Sequence, residues 1–95
     1  MTILEELALS LELKPEEVIN QSLRAFLEKE IRLALEDIDL IRDRYQVQER
    51  SILEARIKKC EIPSHPAWED LIQWENLEAY LQKLKAAQSK IYGAI

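Results

Sequence analysis

The sequence is poor in glycine and proline, the residues that most often form turns and end helices. It has one glycine and three prolines in 95 residues. Because turns depend on these residue types, their scarcity predicts a few long elements joined by short connections. The single cysteine, Cys60, has no second thiol with which to form a disulfide in the chain. A lone cysteine fits a reducing compartment, so we expect a cytoplasmic location.

Long apolar runs are also missing. No run approaches the ~20 residues that cross a bilayer, and no basic segment followed by an apolar run opens the chain as an export signal would. Hydrophobic residues make up 47% and charged residues 33%, which is typical of a globular domain. The length suits one domain and not two. We therefore predict a single helical domain over residues 1–95 with no membrane partner.

Helical periodicity covers almost the whole chain, and no segment shows the alternation of a strand. The predicted fold class is all-α, an elongated bundle of about four helices over residues 3–12, 15–45, 52–59 and 66–91. Thr2 with Glu5, and Ser51 with Glu54, have the spacing of a capping box, which predicts a helix start at each pair. Pro15 suits the first turn of the long helix, where its missing N–H costs nothing.

The long central helix carries two apolar stripes. The first stripe alternates steps of four and three residues like a coiled-coil seam; it consists of Leu27, Ile31, Ala34, Ile38, Ile41 and Tyr45. The second stripe repeats every seven residues and consists of Ile19, Phe26, Leu33 and Leu40. The two stripes lie roughly a quarter to a third of a turn apart. Two stripes on one helix predict two neighbouring elements.

The length of this helix bears on what the second neighbour is. About 30 helical residues span ~45 Å, whereas a compact domain of this size is only ~30 Å across. Either the monomer is elongated and its own helices cover both stripes, or a second chain covers one of them. We favour a homodimer whose seam is the second stripe.

One segment combines acidic, aromatic and apolar character. Residues 65–80, HPAWEDLIQWENLEAY, contain both tryptophans and four carboxylates but no lysine or arginine. The chain has a formal net charge of −5. Nucleic acid binding needs a Lys/Arg footprint, so this segment disfavours nucleic acid as a partner. An acidic face suits a basic protein instead.

The side chains of this segment divide between two sides of a helix. Trp74, Leu77 and Leu81 share the face that we expect to pack on the long helix. A tryptophan beside carboxylates is typical of an interface anchor. The predicted partner-binding residues are Trp68, Glu69, Asp70, Ile72 and Glu75. The alternative is that both tryptophans belong to the core and the acids are merely solvated.

The sequence offers little for catalysis or metal binding. His65 and Cys60 are the only histidine and cysteine, and no third group is placed to orient them as a nucleophile pair requires. Glu36, Asp39 and Asp43 share a helical face, but the Glu-x-x-His pairs of a dinuclear site are absent. A single glycine excludes a glycine-rich phosphate loop. We expect no enzyme activity, no catalytic residue, no cofactor and no metal.

Residues 7–32, LALSLELKPEEVINQSLRAFLEKEIR, resemble the two helical segments of ribbon-helix-helix DNA-binding proteins. There a helix ends at a Leu-x-Leu turn, the next begins with Pro/Ser-x-Glu, and a Leu-Arg-x-Phe-Leu-Glu-Lys face follows, here from Leu23 to Lys29. That family reads DNA with a basic strand before the first helix, and in this sequence only Met1 precedes Thr2. The resemblance implies dimerising helices without the reading strand. It supplies an alternative function, a DNA-binding transcriptional regulator that uses the N-terminal helices.

The layout as a whole resembles small all-helical antitoxins of prokaryotic toxin–antitoxin pairs. The matching stretch is AWED, Ala67 to Asp70, with the helix that follows it. The resemblance implies a protein that binds and neutralises a toxin, here a nuclease-like basic protein. The function expected from the sequence is thus a non-enzymatic interaction module that dimerises and binds a basic partner protein.

Overall fold

The computed structural model describes residues 1–93, which form four helices: α1 (Ile3–Ser10), α2 (Pro15–Tyr45), α3 (Arg50–Lys58) and α4 (Ser64–Gly93). No strand occurs in this range, and the predicted all-α fold is confirmed. The predicted domain also included Ala94 and Ile95, which lie outside the described residues.

Helices α2 and α4 run antiparallel along the length of the molecule. Asp70, near the start of α4, contacts Arg44 and Tyr45 at the end of α2. At the other end of α4, the hydroxyl of Tyr92 donates a hydrogen bond to Glu28 (3.4 Å). The short helix α3 packs against α4 beside the first of these contacts. Helix α1 extends from the opposite end, where it contacts α2.

The core forms where the first stripe of α2 meets the inner face of α4. Its buried residues are Ala34, Ile38, Ile41, Val47, Leu53, Ile57, Ala67, Leu71, Trp74 and Leu81. Ile31, Tyr45 and Leu77 pack against this cluster while partly exposed. The prediction that the first stripe and the Trp74 face pack together is confirmed. The core occupies the half of the rod that contains α3.

The molecule is a rod and not a globule. Its extents are 61 × 24 × 18 Å and its radius of gyration is 19.4 Å, against ~12 Å for a compact chain of this length. Helix α2 has 31 residues, so it alone spans ~46 Å at 1.5 Å per residue. The predicted elongated shape is confirmed, and its cause is the length of α2.

Three helices end in the same way despite the shortage of glycine. Glu12, Gln46 and Cys60 have positive φ angles of 58°, 53° and 59°. In each case the next residue donates its N–H to a carbonyl five residues back; the pairs are Leu13 with Ala8, Val47 with Arg42, and Glu61 with Arg56. This is the Schellman motif, whose left-handed position glycine normally fills. The chain places side chains there at a cost in backbone energy.

The helix boundaries differ from the sequence predictions in three of the four helices, by one or two residues at each differing end. Helix α1 ends at Ser10 instead of Glu12 because the Schellman turn stops it early. Helix α3 begins at Arg50 instead of Ile52, so the capping box predicted at Ser51 is wrong. Helix α4 is recorded from Ser64, although His65 has an extended backbone (φ −113°, ψ 127°). The cap at Thr2 is confirmed, since its hydroxyl accepts from the N–H of Glu5 at 3.2 Å.

None of the described helices is both long enough and apolar enough to cross a bilayer.

Candidate interaction surfaces

One candidate surface lies on the outer side of α4. Trp68 and Ile72 are one helical turn apart, so their side chains are neighbours on the helix surface. They are 46% and 43% exposed, whereas Trp74 on the other side of the helix is fully buried. Residues 65–80 thus divide between the core and the solvent, while the partner contacts predicted for them stay a prediction. We call Trp68, Ile72 and the adjacent Glu69 the Trp68 surface.

The carboxylates of residues 65–80 are not free, contrary to the impression that the sequence gives. Arg50 of α3 forms ion pairs with Glu75 and with Glu78, each at 3.1 Å. Glu69 lies 3.5 Å from Nδ1 of His65, and both side chains are largely exposed. Arginines brought in by the fold therefore compensate part of the predicted acidic face. Glu69 has the most exposed side chain of the four carboxylates in residues 65–80.

Asp70 requires a correction, because the structure removes it from the surface. It is 8% exposed, and one of its oxygens accepts hydrogen bonds from the guanidinium of Arg44 (2.8 Å) and from the hydroxyl of Tyr45. The carboxylate thus joins the end of α2 to the start of α4. The prediction that Asp70 contacts a partner is wrong in this respect, since the side chain is used inside the fold.

The environment of Tyr45 shifts its acid–base equilibrium. Burial raises the pKa of the Tyr45 phenol above 10.0, and its hydrogen bond to Asp70 adds to the rise. The neutral phenol is therefore favoured in the folded protein. On the exposed side of the rod, the bond from Tyr80 to Glu30 (3.0 Å) raises the pKa of Tyr80 for a similar reason.

The second candidate surface follows the second stripe of α2. Its members Ile19, Phe26, Leu33 and Leu40 are all exposed, with Phe26 at 54% and Leu40 at 61%. Neither α3 nor α4 covers them, because α4 occupies the side of α2 that carries the first stripe. Helix α1 leaves a further apolar set exposed: Ile3, Leu7, Leu9 and Leu11. The structure leaves this stripe uncovered within residues 1–93.

The Trp68 surface lies near one end of the rod, whereas the second stripe runs along α2 from Ile19 to Leu40. Trp68 precedes Asp70, which is fixed at the C-terminal end of α2. Phe26 lies 19 residues before Tyr45 on the same helix, a distance of ~28 Å along the axis. A molecule bound at the Trp68 surface would therefore leave the part of the stripe around Phe26 accessible.

A family model matches residues 1–93 of the chain and carries the description "Uncharacterized protein MJ0235 family". The chain belongs to the MJ0235 family. The match spans all four helices and thus both candidate surfaces. No curated protein and no solved structure matches the chain.

In this member of the MJ0235 family, Cys60 and His65 are both exposed. Cys60 is exposed beyond the end of α3, and His65 faces Glu69 on the surface. Across residues 1–93 there is no cluster of three or more potential metal ligands, and no pocket is present. The absence of catalysis, cofactor and metal stays a prediction.

Sequence reasoning missed the residues that bind the α4 carboxylates. Arg44 and Tyr45 reach Asp70 from 25 or 26 positions away, and Arg50 reaches Glu75 from 25 positions away. The sequence did contain one signal, because a basic cluster at the end of α2 and the start of α3 precedes a segment without bases. Pairing the two requires knowing that α4 folds back along α2.

Proposed function

We propose that this MJ0235-family chain is a non-enzymatic protein-interaction module, which dimerises and binds a basic partner protein through the Trp68 surface. The observation that carries the proposal is the exposure of Trp68 beside Ile72 on a helix whose other tryptophan is fully buried. In the isolated chain, a half-exposed tryptophan next to an isoleucine keeps apolar surface in contact with water, which is unfavourable. Bound to a partner, the same pair would form the centre of an interface.

The rigidity of the Trp68 surface supports this use. Trp74 and Leu71 are buried in the core, and Asp70 ties this part of α4 to α2. The exposed side chains therefore project from an already fixed helix, and little backbone order would be lost on binding. A helix that presents side chains at i and i+4 fits the groove mode of recognition.

The charge of the expected partner rests on Glu69 and on the whole chain. Glu69 has a largely exposed side chain, and the chain carries a formal net charge of −5. Such a field accelerates encounter with a basic protein and weakens as salt is added. Glu75 contributes less than the sequence suggested, because Arg50 already neutralises it.

The antitoxin-like role is the specific form of this proposal. It rests on the likeness of the AWED stretch and of the helical layout to helical antitoxins, and the exposure of Trp68 within that stretch is consistent with it. In this form, the bound partner would be a basic toxin, and binding would cover its active surface. A small basic protein encoded beside this chain would be the first candidate to test.

Affinity purification from the native cell tests the proposal, with Trp68→Ala/Ile72→Ala as the disabled variant. Leu35→Ala is the matched control, because Leu35 is 42% exposed but lies outside both surfaces. A basic protein retained by the wild type and the control but not by the double variant is the expected result. Equal retention by all three proteins would disprove the assignment of the surface.

A further inference from the structure

We propose that a second copy of this chain covers the Trp68 surface, with the two α4 helices antiparallel and related by a twofold axis at Ala79. The second copy occupies the surface until a basic partner protein displaces it. The inference rests on the proposed function for this competition, but not for the contact itself. The contact lies on α4, so it is separate from any contact that the second stripe of α2 makes.

The contact is formed by the outer face of α4, which continues the Trp68 surface toward the C-terminal end of the helix. Its members lie within about a quarter of a turn of one another at 100° per residue, and all of them are exposed. They are Trp68, Ile72, Glu75, Ala79, Lys83, Ala86 and Lys90. The face extends ~33 Å along the helix axis. The buried Trp74 and Leu81 lie on the other side of α4.

The charge of α4 reverses along the length of the helix. Residues 68–80 contain acids and no base. Residues 81–93 contain no acid and three lysines: Lys83, Lys85 and Lys90. Within residues 1–93, none of these lysines takes part in an ion pair. A helix of this kind is complementary in charge to a second copy that runs antiparallel, and this complementarity identifies the covering molecule.

The positions of the charges fit a twofold axis at Ala79. Glu75 and Lys83 lie four residues before and four residues after Ala79, so the axis brings Glu75 of each copy beside Lys83 of the other. Lys90 lies eleven residues after Ala79, and Trp68 lies eleven residues before it. The ammonium group of Lys90 therefore meets the indole of Trp68, a cation–π contact, and the neighbouring carboxylate of Glu69.

The same axis also matches the apolar residues of the outer face. Ile72 lies seven residues before Ala79, and Ala86 lies seven residues after it. Ile72 of each copy thus packs on Ala86 of the other, whose small side chain leaves room for it. Ile72 and Trp68 are 43% and 46% exposed in the single chain. Their burial supplies favourable free energy, while the charges fix the antiparallel direction.

The ion pairs within the chain leave Glu75 able to bind a lysine. Arg50 contacts Oε1 of Glu75 and Oε2 of Glu78, each at 3.1 Å. One guanidinium is thus shared by two carboxylates, so one negative charge remains on the group. The side chain of Glu75 is 47% exposed. Lys83 of the second copy therefore approaches a site of net negative charge.

Disulfide trapping of the full chain tests the geometry, in a Cys60→Ser background that removes the natural thiol. Ala79→Cys should form a covalent dimer on mild oxidation, because a residue on a twofold axis meets its own copy. Gln73→Cys is the matched control, since Gln73 is also exposed on α4 but points about a third of a turn away from Ala79. It should form about 10-fold less dimer. Equal dimer yields at the two positions would overturn the inference.

Charge reversal in the Ala79→Cys chain tests the pairing of the two copies. Lys83→Glu alone, or Glu75→Lys alone, should lower the dimer yield about 10-fold, because like charges then meet across the axis. An equimolar mixture of these two variants should restore the yield. In the mixed dimer, position 75 of each copy again faces the opposite charge at position 83 of the other. Single variants that crosslink like the parent chain, or a mixture that does not recover, would overturn the inference.

Loss of the contact with Arg50 is the one effect of Glu75→Lys on the fold itself, and circular dichroism measures it as lost helicity. If helicity falls, Glu69→Lys and Lys90→Glu repeat the reciprocal test at residues that do not contact α3. Their mixture should recover the dimer yield that each of them lowers. No recovery in this pair would likewise contradict the twofold contact.

Retention of the partner separates this inference from the proposed function. The reduced Ala79→Cys chain should retain the basic protein of the native cell, whereas the oxidised dimer should not, because its Trp68 surface is covered. Equal retention by the two forms would contradict the competition. A chain that crosslinks as expected but retains no partner in its reduced form would contradict the proposed function alone. A chain that retains the partner and does not crosslink would contradict this inference alone.

Discussion

Trp68 and Trp74 lie six residues apart on α4, and the structure places them in opposite environments. The indole of Trp74 is fully buried between α2 and α4, with the guanidinium of Arg42 5.6 Å from its ring centre. The indole of Trp68 is 46% exposed on the other side of the helix. One helix thus anchors the fold with one tryptophan and presents the other to solvent.

This difference in burial predicts that the same substitution lowers stability by different amounts at the two positions. Trp74→Ala should lower the free energy of unfolding by about 3–5 kcal/mol, because it empties the centre of the core. Trp68→Ala should lower it by less than about 1 kcal/mol while abolishing partner binding. Urea denaturation of the two variants measures both free energies of unfolding. Similar losses of stability in the two variants would contradict the assignment of Trp68 to a binding surface.

The buried carboxylate of Asp70 predicts a stability effect of its own. Asp70→Asn removes the ion pair with Arg44 and weakens the hydrogen bond from Tyr45, with an expected loss of about 1–3 kcal/mol. Glu69→Gln is the matched control, because the carboxylate of Glu69 is adjacent in sequence but largely exposed. Its loss should change the free energy of unfolding by less than about 0.5 kcal/mol. Denaturant titration at pH 7 compares the two. Equal stability of the two variants would show that Asp70 does not join α2 to α4.

The left-handed backbone at the end of α3 predicts a stabilising substitution. Cys60 has φ 59° and is exposed, so its Cβ atom adds strain in the left-handed region. Cys60→Gly should be about 1 kcal/mol more stable than Cys60→Ala, which keeps the Cβ atom. Thermal unfolding of the two variants gives the difference. If Cys60→Ala is at least as stable as Cys60→Gly, the backbone at position 60 does not have the left-handed conformation.

Tyr45 predicts a loss of stability at alkaline pH. Its pKa in the folded protein is raised above 10.0, mainly by burial, so the unfolded chain loses the phenolic proton first as the pH rises. The contribution is complete below pH 10 and is lost as the pH climbs toward the folded pKa. Tyr45→Phe should be less stable at pH 7, because Asp70 loses a donor, yet decline less steeply above pH 10. If the free energies of unfolding of the wild type and of Tyr45→Phe fall in parallel above pH 10, Tyr45 is not the source of the decline.

Local signals in the sequence were sufficient for the long elements. Pro15 and the first apolar stripe predicted α2 with the same bounds as the structure. The face of Trp74, Leu77 and Leu81 was predicted correctly because a helix has one period, and one stripe must meet another. The sequence left open whether the chain's own helices cover the second stripe, and the structure leaves its four residues exposed within residues 1–93.

Tertiary contacts decided what the sequence could not. The capping signal at Ser51 failed because α3 starts two residues earlier, where Arg50 reaches Glu75 and Glu78 on α4. Asp70 looked like its exposed neighbours, and only the antiparallel return of α4 reveals that Arg44 and Tyr45 meet it. Helical periodicity identifies the side on which a residue lies, but not which charged group it will face.

Amide hydrogen exchange of α1 at several protein concentrations tests the central claim most directly. That claim is the proposed dimerisation through apolar residues that the chain itself leaves exposed, since α1 buries only Ala8 and the second stripe of α2 is uncovered. The amides of residues 3–10 should be protected at high concentration and lose protection on dilution below the dissociation constant, while those of the α2–α4 core change far less. Equal protection of α1 at every concentration, with the mass of a monomer, would contradict the account.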